Sequence, residues 1–171
     1  MTRYLKIAAF VFAAVALIGG LIAFSFNLSA LPEPGRIETY LATKGKRYLI
    51  RRASRGQIPP PPADLNASLT EGDKLFGVEC SECHGDSGRK PTDAGRWMYP
   101  RAADLGSAEV QNYSDRELFW IVKNGIRLSG MPAFGMVESD EHIWDLVHFV
   151  RTLTAKANPA SGGDTRRKLG P

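Results

Sequence analysis

The chain has 171 residues, of which 43% are apolar, and its 22 Lys and Arg stand against 18 Asp and Glu. That length allows one domain of ordinary size plus extensions. The charge is segregated: residues 63 to 157 carry ten basic and fifteen acidic side chains, so a pI near 9.2 does not mark a nucleic-acid-binding domain.

The first predicted element is apolar. Residues 7 to 26, IAAFVFAAVALIGGLIAFSF, run for 20 residues without a charge, and a helix of that length covers roughly 30 Å, about one hydrocarbon core. A cleaved signal peptide has an apolar region of about 7 to 15 residues and small residues at its cleavage site. This run is longer, and Leu28-Ser29-Ala30 places a large residue where a small one is wanted, although Ala23-Phe24-Ser25 offers another site. The expectation is an uncleaved transmembrane anchor, residues 1–30, held in membrane lipid through residues 7–26. Arg3 and Lys6 precede the span, and Arg36, Lys44 and Lys46 follow it, so charge counting alone leaves the topology open.

Residues 31–66 read as a basic and Pro-rich linker. Arg36 to Gly56 holds seven basic residues against Glu38. Such a stretch beyond a span is attracted to anionic headgroups, and a solvated basic helix or coil fits it equally well: Ile37, Leu41 and Tyr48 share a helical face with Lys44, while Leu49 and Ile50 point elsewhere and Gly45 interrupts. Ile58-Pro59-Pro60-Pro61-Pro62 reads as a stiff polyproline spacer.

Ser68-Leu69-Thr70-Glu71 has the form of a capping box opening a helix that leads into Cys80-Ser81-Glu82-Cys83-His84. These are the only two cysteines in the chain. A redox disulfide belongs in a βαβ context that is missing here; a zinc site needs further ligands, and no second CxxC exists; two ordinary thiols would fall at this spacing only by coincidence. Covalent haem attachment uses all three residues, since both thiols add to haem vinyl groups and the imidazole ligates the iron. Glu82 has no assigned role.

Residues 86–112 read as a loop around the haem. Ser114-Asp115-Arg116-Glu117 is a second capping box, opening a helix that ends near Gly125. Met131 then lies in Ser129-Gly130-Met131-Pro132-Ala133-Phe134, where Pro132 disfavours helix. Its thioether suits the iron face opposite histidine, and Met136 lacks the same Gly/Pro frame; Met98 reads as packing. Ser139 caps a last helix with Ile143, Leu146, Val147, Val150 and Leu153 in one stripe. His142 and His148 read as surface histidines. Residues 158–171 read as a disordered tail.

CSECHG, the Gly-Met-Pro-Ala-Phe stretch and the closing helix together resemble the small monohaem class I cytochromes c, over about residues 67 to 155. Gly72, Phe76 and Cys80 keep that family's four-residue step, which implies that Gly72 and Phe76 meet Leu146 and Phe149 of the last helix. The resemblance implies an all-α fold, with a haem domain of three or more helices in residues 67–157 behind the membrane helix. It implies one covalent haem c on Cys80 and Cys83, axial ligands His84 and Met131, and a pocket to which Trp97, Tyr99, Pro100 and Arg101 contribute. Pro100 stands where the family's proline carbonyl orients the histidine, and Arg96 and Arg101 stand where propionates could be neutralised. The implied function is one-electron transfer without enzymatic turnover, to a redox protein or within a respiratory membrane complex, on the periplasmic side of a bacterial inner membrane. The alternative is a haem enzyme or gas sensor with an open sixth iron position.

Overall fold

The structure is a computed structural model that describes residues 2–25, 29 and 31–155; the expected tail, 158–171, and much of the Leu28-Ser29-Ala30 segment lie outside the described residues. The chain divides into two compact units, residues 1–32 and 33–171. Among the described residues every regular element is helical.

The first unit is helix α1, Thr2–Ser25. Its stretch Arg3–Leu21 is 19 residues long with a mean hydropathy of 2.1, and it is the one described helix long and apolar enough to cross a membrane.

The second unit opens with α2, Arg36–Ala53. Glu38 turns back to accept from the Gly35 N–H at 3.3 Å, and Arg51 and Arg52 sit in the last turn, where the helix dipole favours cations. The sequence reading as a linker differs here from the structure, because α2 packs on the core of this unit. Ile50 is only 3% exposed and joins a cluster with Val110, Tyr113, Leu118 and Phe119. The Arg47 guanidinium lies 4.6 Å from the centroid of the Tyr113 ring, and Arg116 donates to the carbonyls of Ser54 and Gly56 at 3.2 and 2.7 Å. The proline run is likewise fastened: Ile58 packs against the same cluster, and Trp144 Nε1 donates to the Pro59 carbonyl at 2.9 Å.

Helix α3, Leu65–Leu75, starts one turn earlier than the Ser68 box predicts. Asp64 is its cap, accepting from the Asn66 and Ala67 N–H groups at 3.0 Å. The Ser68 hydroxyl is committed elsewhere: it donates to Asp145 at 2.5 Å and accepts from His148 Nδ1 at 2.7 Å. His148 is therefore a half-buried partner in a helix contact and not a surface residue.

A π-helical turn, Phe76–Cys80, joins α3 to α4, Ser81–His84. Short helices α5, Asp93–Trp97, and α6, Ala108–Gln111, interrupt the loop expected over residues 86–112. Helix α7, Asp115–Asn124, has the predicted Ser114–Glu117 capping box and ends at Gly125. A 3-10 turn, Phe134–Met136, precedes α8, Asp140–Ala155, whose His142 N–H is capped by Ser139 Oγ at 3.2 Å.

All five residues of the predicted α8 stripe are buried. They divide between the cluster around Ile50 and Phe119 and a second one made of Phe76, Leu146, Phe149 and Leu153. Gly72 lets α3 and α8 approach backbone to backbone: a Cβ there would fall 2.1 Å from the Asp145 carbonyl oxygen and 3.0 Å from Phe149 Cβ. One turn on, the Phe76 and Phe149 ring centroids are 4.9 Å apart. This is the crossing that the Gly72, Phe76, Cys80 step implies.

Candidate functional site

The segment Cys80 to His84 is held from three sides. Behind it, the π-helical turn leaves Cys80 half-buried against Phe76 and the α8 residues Leu146, Phe149 and Leu153; extra-residue turns of this type recur at functional positions. Beneath it, α5 is pressed against the turn, since a Cβ on Gly95 would fall 2.1 Å from the Cys83 carbonyl oxygen. Thr92 satisfies two carbonyls, its N–H donating to Cys83 at 3.2 Å and its hydroxyl to Glu82 at 2.5 Å. After it, Gly85 takes φ +74, a left-handed conformation open to glycine, and so ends the turn directly behind His84.

On the third side, His84 Nδ1 lies 2.9 Å from the carbonyl oxygen of Ala103. A carbonyl only accepts, so Nδ1 carries the proton and Nε2 keeps its lone pair, the tautomer that a metal-ligating imidazole needs. The carbonyl expected from Pro100 is thus Ala103's. The chain between them, past a cis Tyr99–Pro100 bond, is fixed by Ala102 N–H to the Gly95 carbonyl at 2.9 Å, Leu105 N–H to Gly88 at 2.8 Å and an Arg89–Asp104 ion pair at 2.9 Å. Burial, which favours the neutral ring, holds the imidazole below its ordinary pKa against the opposing hydrogen bond to Ala103. Burial, with lesser help from Glu79 and Cys83, pushes the Cys80 thiol up to about 12; it is a protonated thiol and not a reactive thiolate.

Met131 is half-buried and packs against the larger cluster. Its loop leaves α7 at Gly125, where a Cβ would meet the carbonyl oxygens of Pro132 and Met131 at 2.6 and 2.7 Å. The loop is closed by Ile126 N–H to the Met131 carbonyl at 3.3 Å and by Met131 N–H to Ser129 Oγ at 3.3 Å. Met98 is seated on it, with its sulfur 2.4 Å from the Cβ position of Gly130.

The remaining pocket candidates separate. Trp97 is 77% exposed. Tyr99 donates to Glu38 at 2.5 Å, and that hydrogen bond raises its pKa. Arg101 pairs with Glu33 at 2.9 Å, and Arg96 pairs with Asp93. Sequence reasoning missed Ala103 and Thr92, neither of which carries a motif; Met98, read as a packing residue, packs on Gly130.

These residues fit a haem. Two thiols stand three residues apart beside an imidazole whose Nδ1 is committed to the Ala103 carbonyl. Val78, Trp97 and Leu128, on the segments flanking Cys80, His84 and Met131, leave large apolar side chains uncovered. Among the described residues no group of three or more His, Cys, Asp or Glu is placed to hold a bare metal ion.

Comparison with known proteins agrees. The family described as cytochrome C oxidase, cbb3-type, subunit III, matches residues 67–150. A solved structure titled KustC0563 c-type cytochrome is 31% identical, with 48% of this chain covering 95% of that one, at a TM-score of 0.43. This chain belongs to the c-type cytochromes. Membership implies a covalently held haem c and haem-based electron transfer. A second solved structure, the Kuenenia stuttgartiensis reducing HAO-like protein complex Kustc0457/Kustc0458, is 22% identical over 59% of this cytochrome, at a TM-score of 0.47. The chain spans 53% of the length of that protein. No curated protein matches.

Proposed function

We propose that this cytochrome is a membrane-tethered one-electron carrier that serves a respiratory redox partner on the periplasmic side of an inner membrane. When bound, one haem c supplies a reversible ferrous/ferric couple. Cys80 and Cys83 would hold it by thioether bonds, and His84 Nε2 and the Met131 thioether would be the protein's ligands to its iron. The observation that carries this reading is the His84–Ala103 hydrogen bond, which fixes both the tautomer and the direction of the ring. The packed loop around Met131 supports a filled second position, and with both positions filled the work is electron transfer and not substrate turnover.

The basis for the tether is the Arg3–Leu21 span, and attachment of c-type haem outside the inner membrane gives the orientation. The family's description names an oxidase subunit, which supports a partner of the respiratory class. Mild solubilisation and identification of what co-purifies separates a free shuttle from a subunit.

Met131→Ala tests the second ligand. The haem stays attached through Cys80, Cys83 and His84, the reduction potential falls, the Met-to-ferric-iron charge-transfer band disappears and ferrous iron binds carbon monoxide readily. Rapid carbon monoxide binding by the native protein, with a spectrum unchanged by Met131→Ala, would replace the carrier by a gas-binding or peroxide-reacting protein.

A further inference from the structure

Helix α2 has two unlike faces. The packed one carries Ile50 in the core, Arg47 over Tyr113, and Lys46 at 3.9 Å from Glu109. At about 100° per residue, Ile37, Leu41, Lys44, Tyr48, Arg51 and Arg52 fall on the other side, and all six are exposed. No acid lies in that arc. The nearest ones are engaged, Glu38 by Tyr99 and the Gly35 N–H, and Glu33 by Arg101. An open groove of about 480 Å³ runs beside the face, bordered by Arg36, Tyr40, Lys44 and Glu109.

A surface that is apolar and cationic at once fits the boundary layer of an anionic bilayer, where aromatic and aliphatic groups sit at headgroup level and basic stems snorkel to phosphate. The chain itself brings such a layer within reach, because only residues 26–35 separate α1 from α2 and ten residues extend at most about 35 Å. We propose that the free face of α2 docks on anionic lipid headgroups, with Ile37, Leu41 and Tyr48 at the acyl boundary and Lys44, Arg51 and Arg52 on the phosphates. This goes beyond a single anchor and rests on the reading of α1 as a membrane span.

Amine acetylation, read residue by residue by mass spectrometry, tests it on the full-length haem protein. The protein is reconstituted in vesicles of phosphatidylcholine alone, or of phosphatidylcholine with phosphatidylglycerol. Each basic side chain near a charged surface contributes about a fivefold preference, so Lys44 reacts at least about fivefold more slowly in the anionic vesicles and recovers at high salt. Lys74, exposed on α3, keeps its rate. The double substitution R51E/R52E restores the Lys44 rate. Equal Lys44 rates in the two vesicles overturn the proposal, and so does equal protection in phosphatidylcholine alone. Protection seen only in native membranes overturns it too, assigning the face to a protein. Flotation of the same samples at high salt reports the span separately; if the protein is released there, the Lys44 comparison at low salt still decides the face.

Discussion

Gly72→Ala probes the crossing of α3 and α8. The added methyl would lie 2.1 Å from the Asp145 carbonyl oxygen and 2.7 Å from its carbon, and ordinary contact begins at 3.4 Å. Both obstacles are backbone, so no rotamer change relieves them and the helices must part by about 1.3 Å. Parting them loosens the Phe76–Phe149 contact and the Ser68–Asp145 hydrogen bond. Overpacking of side chains costs about 1–3 kcal/mol, and alanine returns about 1 kcal/mol of helix propensity. With backbone as the obstacle the overpacking cost is expected at its upper end, about 3 kcal/mol, for a net loss of about 2 kcal/mol. The assay is guanidinium unfolding of the haem-loaded protein followed by far-UV circular dichroism, with Gly77→Ala as the control. Nothing lies within 4 Å of a Cβ at Gly77, so that variant equals the parent or gains up to about 1 kcal/mol. Coincident midpoints for Gly72→Ala and Gly77→Ala would refute the close-approach argument.

Ser68→Ala removes the hydroxyl donor of the buried Asp145 and the acceptor of His148; denaturant unfolding should show a loss of about 2 kcal/mol. Trp144→Phe removes the donor to Pro59, costs about 1 kcal/mol, and should speed limited proteolysis between Gly56 and Ala63. The hydrogen bond from His142 to Glu138 raises the histidine pKa above its ordinary 6.5. The stabilisation is therefore full below about pH 6.5 and fades as pH rises through the raised value. With the His142 side chain 42% exposed, the effect stays below about 0.5 kcal/mol. An NMR titration of His142 should show the raised pKa, and Glu138→Gln should remove it.

What the sequence made legible was local. The Ser114 box, the Gly125 stop and the α8 stripe each depend on neighbouring residues along one helix, and the crossing at Gly72 and Phe76 came with the resemblance to class I cytochromes c. What it concealed was set by distant partners. Ser68 looks like a cap but spends its hydroxyl on Asp145, 77 residues away, so Asp64 takes the capping role. Helix α2 looks like a solvated linker because a single buried side chain, Ile50, carries its docking, and periodicity cannot register one residue. At the site, CSECH carries its own motif, whereas the carbonyl that accepts from His84 depends on the path of a loop and has no side-chain signature.

The burial of Cys80 also has a temporal side. The thiol is raised to about 12 chiefly by burial, and three of the four cluster residues that cover it, Leu146, Phe149 and Leu153, belong to α8. During synthesis those residues arrive more than sixty positions after Cys80. Until they do, the thiol lacks most of the apolar cover that raises its pKa in the closed fold. Thiolate at the first cysteine is thus easier to form before the last helix packs than after it.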